Sequence, residues 1–226
     1  MTRFFSIVVV VLVSITISIY GQSSKTIKLW NGKDYTGWEL VTNSATDIKS
    51  VCKIKPDSVI AVAGKEIGYL ATIDSYENYK LHIEYRWPND AAKNSNSGIL
   101  INIVSGPIDR NTWPLCFQIQ TKIEHVGDLL PMAGSKFAEP LSTAPGAKTP
   151  QLEHQKPDSE KPIGQWNIVD IICRDSTIEC MINGIVQNCV SKCEPPAGKI
   201  GIQLEGFPYE LRNIWLTQLD QNVHNK

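Results

Sequence analysis

Apolar and polar positions alternate with a period of two through most of this chain, and the alternation breaks at clusters of Gly, Asn, Asp and Pro. In KLHIEYRW, Leu81, Ile83, Tyr85 and Trp87 point one way, while Lys80, His82, Glu84 and Arg86 point the other. CFQIQTK places Phe117 and Ile119 inside, with Gln118, Gln120 and Lys122 outside. KIGIQLE places Ile200, Ile202 and Leu204 inside, with Gln203 and Glu205 on the polar face. From Trp166 to Val190 the pattern predicts three strands joined by turns at Asp175-Ser176 and Asn183-Gly184, the second a strong hairpin signal. No long stretch carries apolar residues at helical spacing. The expectation is an all-β chain whose many short strands form two antiparallel sheets packed face to face as a jelly-roll sandwich. The polar rows would line the concave outer face of one sheet.

The segment from about Ile123 to Gly164 breaks this rhythm, being rich in Pro, Gly, Ser and Lys. A loop of that length in a compact domain is usually functional, and its expected place is over one edge or mouth of the sandwich.

The N-terminus sets the expected compartment. Arg3 precedes an uncharged run from Phe4 to Tyr20, then Gly21 and the polar Gln22, Ser23 and Ser24, which is the pattern of a signal peptide over residues 1–21. An uncleaved membrane anchor is the rival reading, since the run is near the lower length limit for a span. The predicted product is an exported, periplasmic or extracellular protein with one β-sandwich domain over residues 22–226 and no membrane span after cleavage. Lys and Arg total 22 against 23 Asp and Glu, with no basic stripe, which argues against nucleic acid as a partner. Six cysteines (Cys52, Cys116, Cys173, Cys180, Cys189, Cys193) allow up to three disulfides in an exported chain. Cys189 and Cys193 would suit a bridge closing a turn, and buried thiols acting as small apolar residues are the alternative.

Several motifs in order carry a family resemblance: LWNGKDYTGWEL (Leu29 to Leu40), YKLHIEYRW (Tyr79 to Trp87), NSGILI (Asn96 to Ile101), PLCFQIQ (Pro114 to Gln120), Gly127-Asp128, GQWNIVDIIC (Gly164 to Cys173), ING (Ile182 to Gly184), and AGKIGIQLEG with ELRNIWL between Ala197 and Leu216. Their order and spacing resemble the 3-keto-disaccharide hydrolase family over nearly the whole mature chain. The resemblance implies a concanavalin-like jelly roll that acts on glycosides already oxidised to a ketone at carbon 3. Family enzymes eliminate the glycosidic substituent across carbons 1 and 2, or hydrate the resulting 2-hydroxy-glucal. Two positions depart from the family pattern. Gln118 stands where the family commonly has Glu, and Asn102 where an Arg often follows the NSG strand. Both changes are expected to remove charge from the polar face, which favours an alternative function as a non-catalytic carbohydrate-binding domain.

The ketone makes the proton on carbon 2 acidic, so such an enzyme needs a base and an enolate stabiliser rather than two opposed carboxylates. Candidates for catalysis are Glu84, Asp128 and His82, with His125 and Glu205 as further bases. Candidates for substrate binding are Arg86, Asn96, Gln118, Gln120, Gln203, Glu205 and, for stacking, Trp113. Glu84 and Arg86 could equally be ordinary cross-strand partners, and Asp128 and His125 ordinary solvated loop residues. Arg212 could pair with Glu205 or Glu210. No local spacing marks a cofactor; a divalent metal held by carboxylates from different strands is left open.

Overall fold

The computed structural model describes residues 25–110, 112–155 and 157–220; the expected signal peptide lies outside them. Fourteen strands form among these residues. They are β1 (Thr26–Lys28), β2 (Trp38–Thr42), β3 (Cys52–Lys55), β4 (Val59–Ala63), β5 (Ile67–Thr72), β6 (Tyr79–Arg86), β7 (Gly98–Asp109), β8 (Trp113–Gln120), β9 (Leu129–Met132), β10 (Asn167–Arg174), β11 (Thr177–Ile182), β12 (Ile185–Val190), β13 (Lys199–Glu205) and β14 (Pro208–Gln218). Among the described residues helix is confined to one α-turn (Ile48–Val51) and one 3-10 turn (Pro56–Ser58). No helix among the described residues is long and apolar enough to cross a membrane.

The strands pair antiparallel in two sheets, ordered β12-β11-β10-β6-β14-β4-β3 with β1 also on β14, and β2-β5-β13-β7-β8-β9. This is the jelly-roll sandwich that the alternation predicts. Leu81, Ile83 and Tyr85 of β6 face Ile99, Ile101, Phe117, Ile119, Ile200 and Ile202 of the six-stranded sheet in one core. Burying each such side chain is worth roughly 1.5–3 kcal/mol. At the β11–β12 turn, Asn183 (φ 51°) and Gly184 (φ 82°) both take the left-handed conformation that a two-residue hairpin demands.

Within the long irregular segment lies one strand that alternation did not reveal. β9 reads Leu-Leu-Pro-Met, and Pro131 is tolerated because β9 is the last strand of its sheet. The rest of the segment closes the side of the sandwich between β9 and β12. Leu152 bridges Leu129, the Ala138 and Gln155 amides donate to Ser191 and Gln187, and Lys136 bridges Glu194. Glu160 then ties it to the end of β6. One carboxylate oxygen accepts from the Tyr85 hydroxyl and the Trp87 indole, each at 3.0 Å.

A second departure from regularity shapes the outer face of the six-stranded sheet. β7 passes Asn102 in a left-handed conformation (φ 55°), the ladder to β8 shifts register twice, and the hairpin tip turns back over the sheet. Thr112 at that tip accepts a 2.9 Å hydrogen bond from Asn43, which follows edge strand β2. The conformation at Asn102 also reverses an expectation. Its side chain leaves the polar face, accepts from the buried Tyr79 hydroxyl at 3.3 Å and donates to the Pro195 carbonyl at 3.0 Å.

All six cysteines are free thiols. Burial raises the pKa of Cys52, Cys173 and Cys193 to about 12, so they act as small apolar residues, and only Cys189 is exposed.

Candidate active site on the six-stranded sheet

The polar residues singled out from the sequence divide between the two outer faces. On the eight-stranded sheet, His82, Glu84 and Arg86 belong to a continuous ladder of opposite charges. Lys55 and Arg86 both bond Glu210, Arg212 bonds Glu84 at 2.7 Å, and His82 Nδ1 lies 2.9 Å from Asp170. The guanidinium carbons of Arg86 and Arg212 cover Trp166 at 4.6 and 4.0 Å, and His82 stacks on Trp215. Burial alone would raise the Glu84 carboxyl, but hydrogen bonds from Asn213 and Arg212 outweigh it and hold its pKa below the ordinary value. Glu84 is thus an occupied anion and a poor base. A single site shared by His82, Glu84, Arg86 and the glutamines does not exist, because the core separates them.

On the outer face of the six-stranded sheet the other residues come together. Gln118 and Gln120 alternate with Phe117 and Ile119 of the core, and Gln203 alternates with Ile202 and Leu204. Gln118 Nε2 donates to Gln120 Oε1 at 2.9 Å and to Gln203 Oε1 at 3.0 Å. A carboxylate could not make these donations, so the neutral residue at 118 suits its neighbours. Gly98 leaves room for this arrangement, since a Cβ there would stand 2.7 Å from the Gln118 side chain. The three amides are buried and bonded to one another, and they form a closed floor.

Asp128 stands at the end of that floor. β8 runs out at Gln120, the chain turns through residues 121–127, and the Gln120 amide donates to the Asp128 carbonyl as β9 begins. Asp128 therefore continues the row from Gln120. Gly127 permits the turn: its φ is 93°, and a Cβ would meet the Gln187 side chain at 2.6 Å. The Asp128 side chain is 1% exposed. Its Oδ1 accepts from the His154 backbone amide at 2.8 Å and lies 2.7 Å from His154 Nδ1; its Oδ2 lies 3.2 Å from His125 Nδ1. A buried carboxylate with an imidazole on each oxygen cannot itself reach a substrate. It fixes the tautomer and aim of both rings, because an Nδ1–H on the carboxylate leaves each Nε2 with a free lone pair.

Two further acceptors wait on this side. Glu205, two residues beyond Gln203, and Asn96, two residues before Gly98, each hold a buried side-chain oxygen without a hydrogen-bond partner. Burial pushes the Glu205 carboxyl up, opposed by the positive charge of Arg110 on the hairpin tip. Trp113, expected as a stacking platform, is buried at the hairpin and offers no free face. His154 was not foreseen; the only signal for it was that it is the second histidine in the segment that already held His125 and Asp128. Among the described residues no group of three or more His, Cys, Asp or Glu is placed to hold a metal ion.

Solved structures agree on the fold. A protein of Parabacteroides distasonis ATCC 8503 named as a candidate glycosyl hydrolase superposes with a TM-score of 0.61 at 19% identity, covering 86% of this chain and 94% of its own. The carbohydrate-binding module CBM66 from Bacillus subtilis gives 0.53 at 8% identity, covering 81% and 96%. A β-glucanase from Bacillus licheniformis gives 0.51 at 9% identity, covering 89% and 100%. No curated protein sequence matches the chain. The family model of the 3-keto-alpha-glucoside-1,2-lyase-like domain matches residues 25–217, and the chain belongs to that family.

Proposed function

We propose that this protein is an exported enzyme that cleaves 3-keto-glycosides by base-catalysed elimination across carbons 1 and 2, at the outer face of the six-stranded sheet. The observation that carries the reading is the buried Asp128 with an imidazole on each oxygen, set beside a floor of three glutamines. His154 Nε2 takes the proton from carbon 2, and the C–H electron pair passes into an enolate with the carbon 3 ketone. Gln118 Nε2 spends both hydrogens on its neighbours, which leaves the Nε2 groups of Gln120 and Gln203 as the amides to stabilise the developing oxyanion. The enolate then reforms the ketone, a double bond forms between carbons 1 and 2, and the carbon 1–oxygen bond breaks. The imidazolium returns its proton to the leaving oxygen. Asp128 holds the ring and stabilises the imidazolium without touching substrate. The unpartnered oxygens of Glu205 and Asn96 suit sugar hydroxyl donors, which would satisfy two acceptors otherwise costly to bury.

The second reading, a non-catalytic carbohydrate-binding domain, is favoured by the neutral, mutually bonded glutamine floor. One assay separates the two. A 3-keto-glucoside with a chromogenic leaving group is offered beside the unoxidised glucoside, with and without chelator. The elimination reading expects release from the keto compound alone, reduced about 10²–10⁴-fold in His154→Gln and Asp128→Asn. Saturable binding without release would leave the binding domain as the function. Export is tested by locating the mature N-terminus, expected near Gln22.

A further inference from the structure

Next to Asp128 and His154, on the same outer face, lies a cleft of about 420 Å³ to which the reaction above gives no occupant. Three links place it at the reacting end of the sheet. Leu130, in its lining, stands directly across the ladder from Gln118 and follows Asp128 by two residues, about 7 Å along the chain on the same face. Arg110, also in its lining, sends its charge as far as Glu205, one of the acceptors assigned to sugar hydroxyls. The stretch that delivers His154 borders the cleft as well, since Ala147 to Pro150 line it and Leu152 then bridges Leu129. A sugar with carbon 2 at His154 therefore has carbon 1 and its substituent within reach of this cleft.

The lining divides by character. Leu130 and Met132 of β9 supply apolar surface, and Leu141 and Pro150 add more from the irregular segment. The Met132 thioether is a good neighbour for the edge of an aromatic ring. Much of the polar lining is already engaged. The Ser135 hydroxyl accepts from the Met132 amide and donates to the Cys116 carbonyl, and Arg110 pairs with Asp109 at 3.3 Å. Lys148 differs: it is exposed, and no carboxylate among the described residues pairs with it. With Arg110 and Lys148 set against Asp109, the lining carries one positive charge in excess. Apolar surface beside an uncompensated cation suits a flat ring with an anion at its far edge.

We infer that this cleft receives the carbon 1 substituent, and that it selects 3-keto-glycosides of a phenolic acid, whose ring lies against Leu130 and Met132 and whose carboxylate meets Lys148. The inference rests on the elimination reading for its reaction and names the leaving group of that reaction. The bond that breaks joins carbon 1 to the phenolic oxygen. That oxygen departs with the electron pair and takes the proton held by the His154 imidazolium.

The test compares two 3-keto-glucosides on the full mature chain, one of 4-hydroxybenzoic acid and one of its neutral amide, which has nearly the same shape. The acid is expected to show a KM about threefold to fivefold lower, the range that an exposed ion pair supports. This advantage should shrink in high salt and vanish in Lys148→Met, which keeps the apolar stem and removes the charge. A methyl 3-keto-glucoside, with neither ring nor acid, is expected to have the highest KM of the three. Equal KM values for acid and amide, an advantage that survives Lys148→Met, or a methyl compound that matches the acid would overturn the subsite. If no keto-glycoside is turned over, the elimination reading fails by itself. Calorimetry with the unoxidised glucosides of the same acid and amide then decides the cleft: tighter binding of the acid, lost in Lys148→Met, upholds it, and equal binding or none removes it.

Discussion

Replacing Glu160 by Gln should make this protein more stable in mild alkali while leaving its stability in mild acid unchanged. Burial raises the Glu160 carboxyl from 4.5 to about 7, against hydrogen bonds from Tyr85 and Trp87 and with the charge of Asp158 adding to the rise. The folded state therefore prefers the protonated form. The stability tied to that proton is whole below 4.5, where folded and unfolded chains both carry it, and is lost as pH climbs through 7. Each pH unit between the two values is worth about 1.4 kcal/mol. The charged carboxylate thus costs the fold at most about 3 kcal/mol, and about 2 once its remaining contact with water is allowed for. Glutamine keeps an oxygen for Tyr85 and Trp87 and never ionises. For a domain of this size the variant should melt about 4–8 °C above the parent near pH 8.5 and together with it near pH 4. Thermal unfolding followed by circular dichroism at both pH values measures the difference; burial also raises Glu205, but that contribution cancels between parent and variant. A gap of the same size at both pH values would refute the reasoning, since it would mean that shape and not ionisation sets the effect.

Two other expectations concern the separation of the two faces. Glu84→Gln should cost about 1–2 kcal/mol in denaturant unfolding by weakening the bonds from Arg212 and Asn213, and should leave release from a keto-glycoside unchanged. Gly98→Ala should keep the fold and weaken sugar binding in calorimetry, because the new methyl displaces Gln118 from its bonds to Gln120 and Gln203.

The inside and outside of β6, β8 and β13 were legible from alternation alone, as was the turn at Asn183-Gly184. What alternation does not carry is which sheet a strand joins. Glu84 and Gln118 both sit on polar rows, yet β6 pairs with β10 and β14 while β8 pairs with β7 and β9. Those partners are distant in sequence, so the rows could not be assigned to opposite faces beforehand. Asn102 was misplaced for a local reason, since a single left-handed residue breaks the period and turns its side chain inward. β9 was hidden by its proline and its shortness. Asp128 was visible through its place after Gly127, but its partner His154 comes from a segment positioned only by bridges to β9 and β12.

Those bridges have a consequence beyond the placing of His154. β9 and β12 are border strands, and a border strand with vacant amides and carbonyls is a template for another copy of the chain. Here the segment that brings His154 to Asp128 also occupies part of both borders, through Leu152 on one and Ala138 and Gln155 on the other. A proteolytic nick that released it would disarm the dyad and bare two adhesive edges at once. Loss of the His154–Asp128 contact and the onset of strand-to-strand polymerisation are therefore coupled hazards in this molecule, guarded by the same stretch of irregular chain.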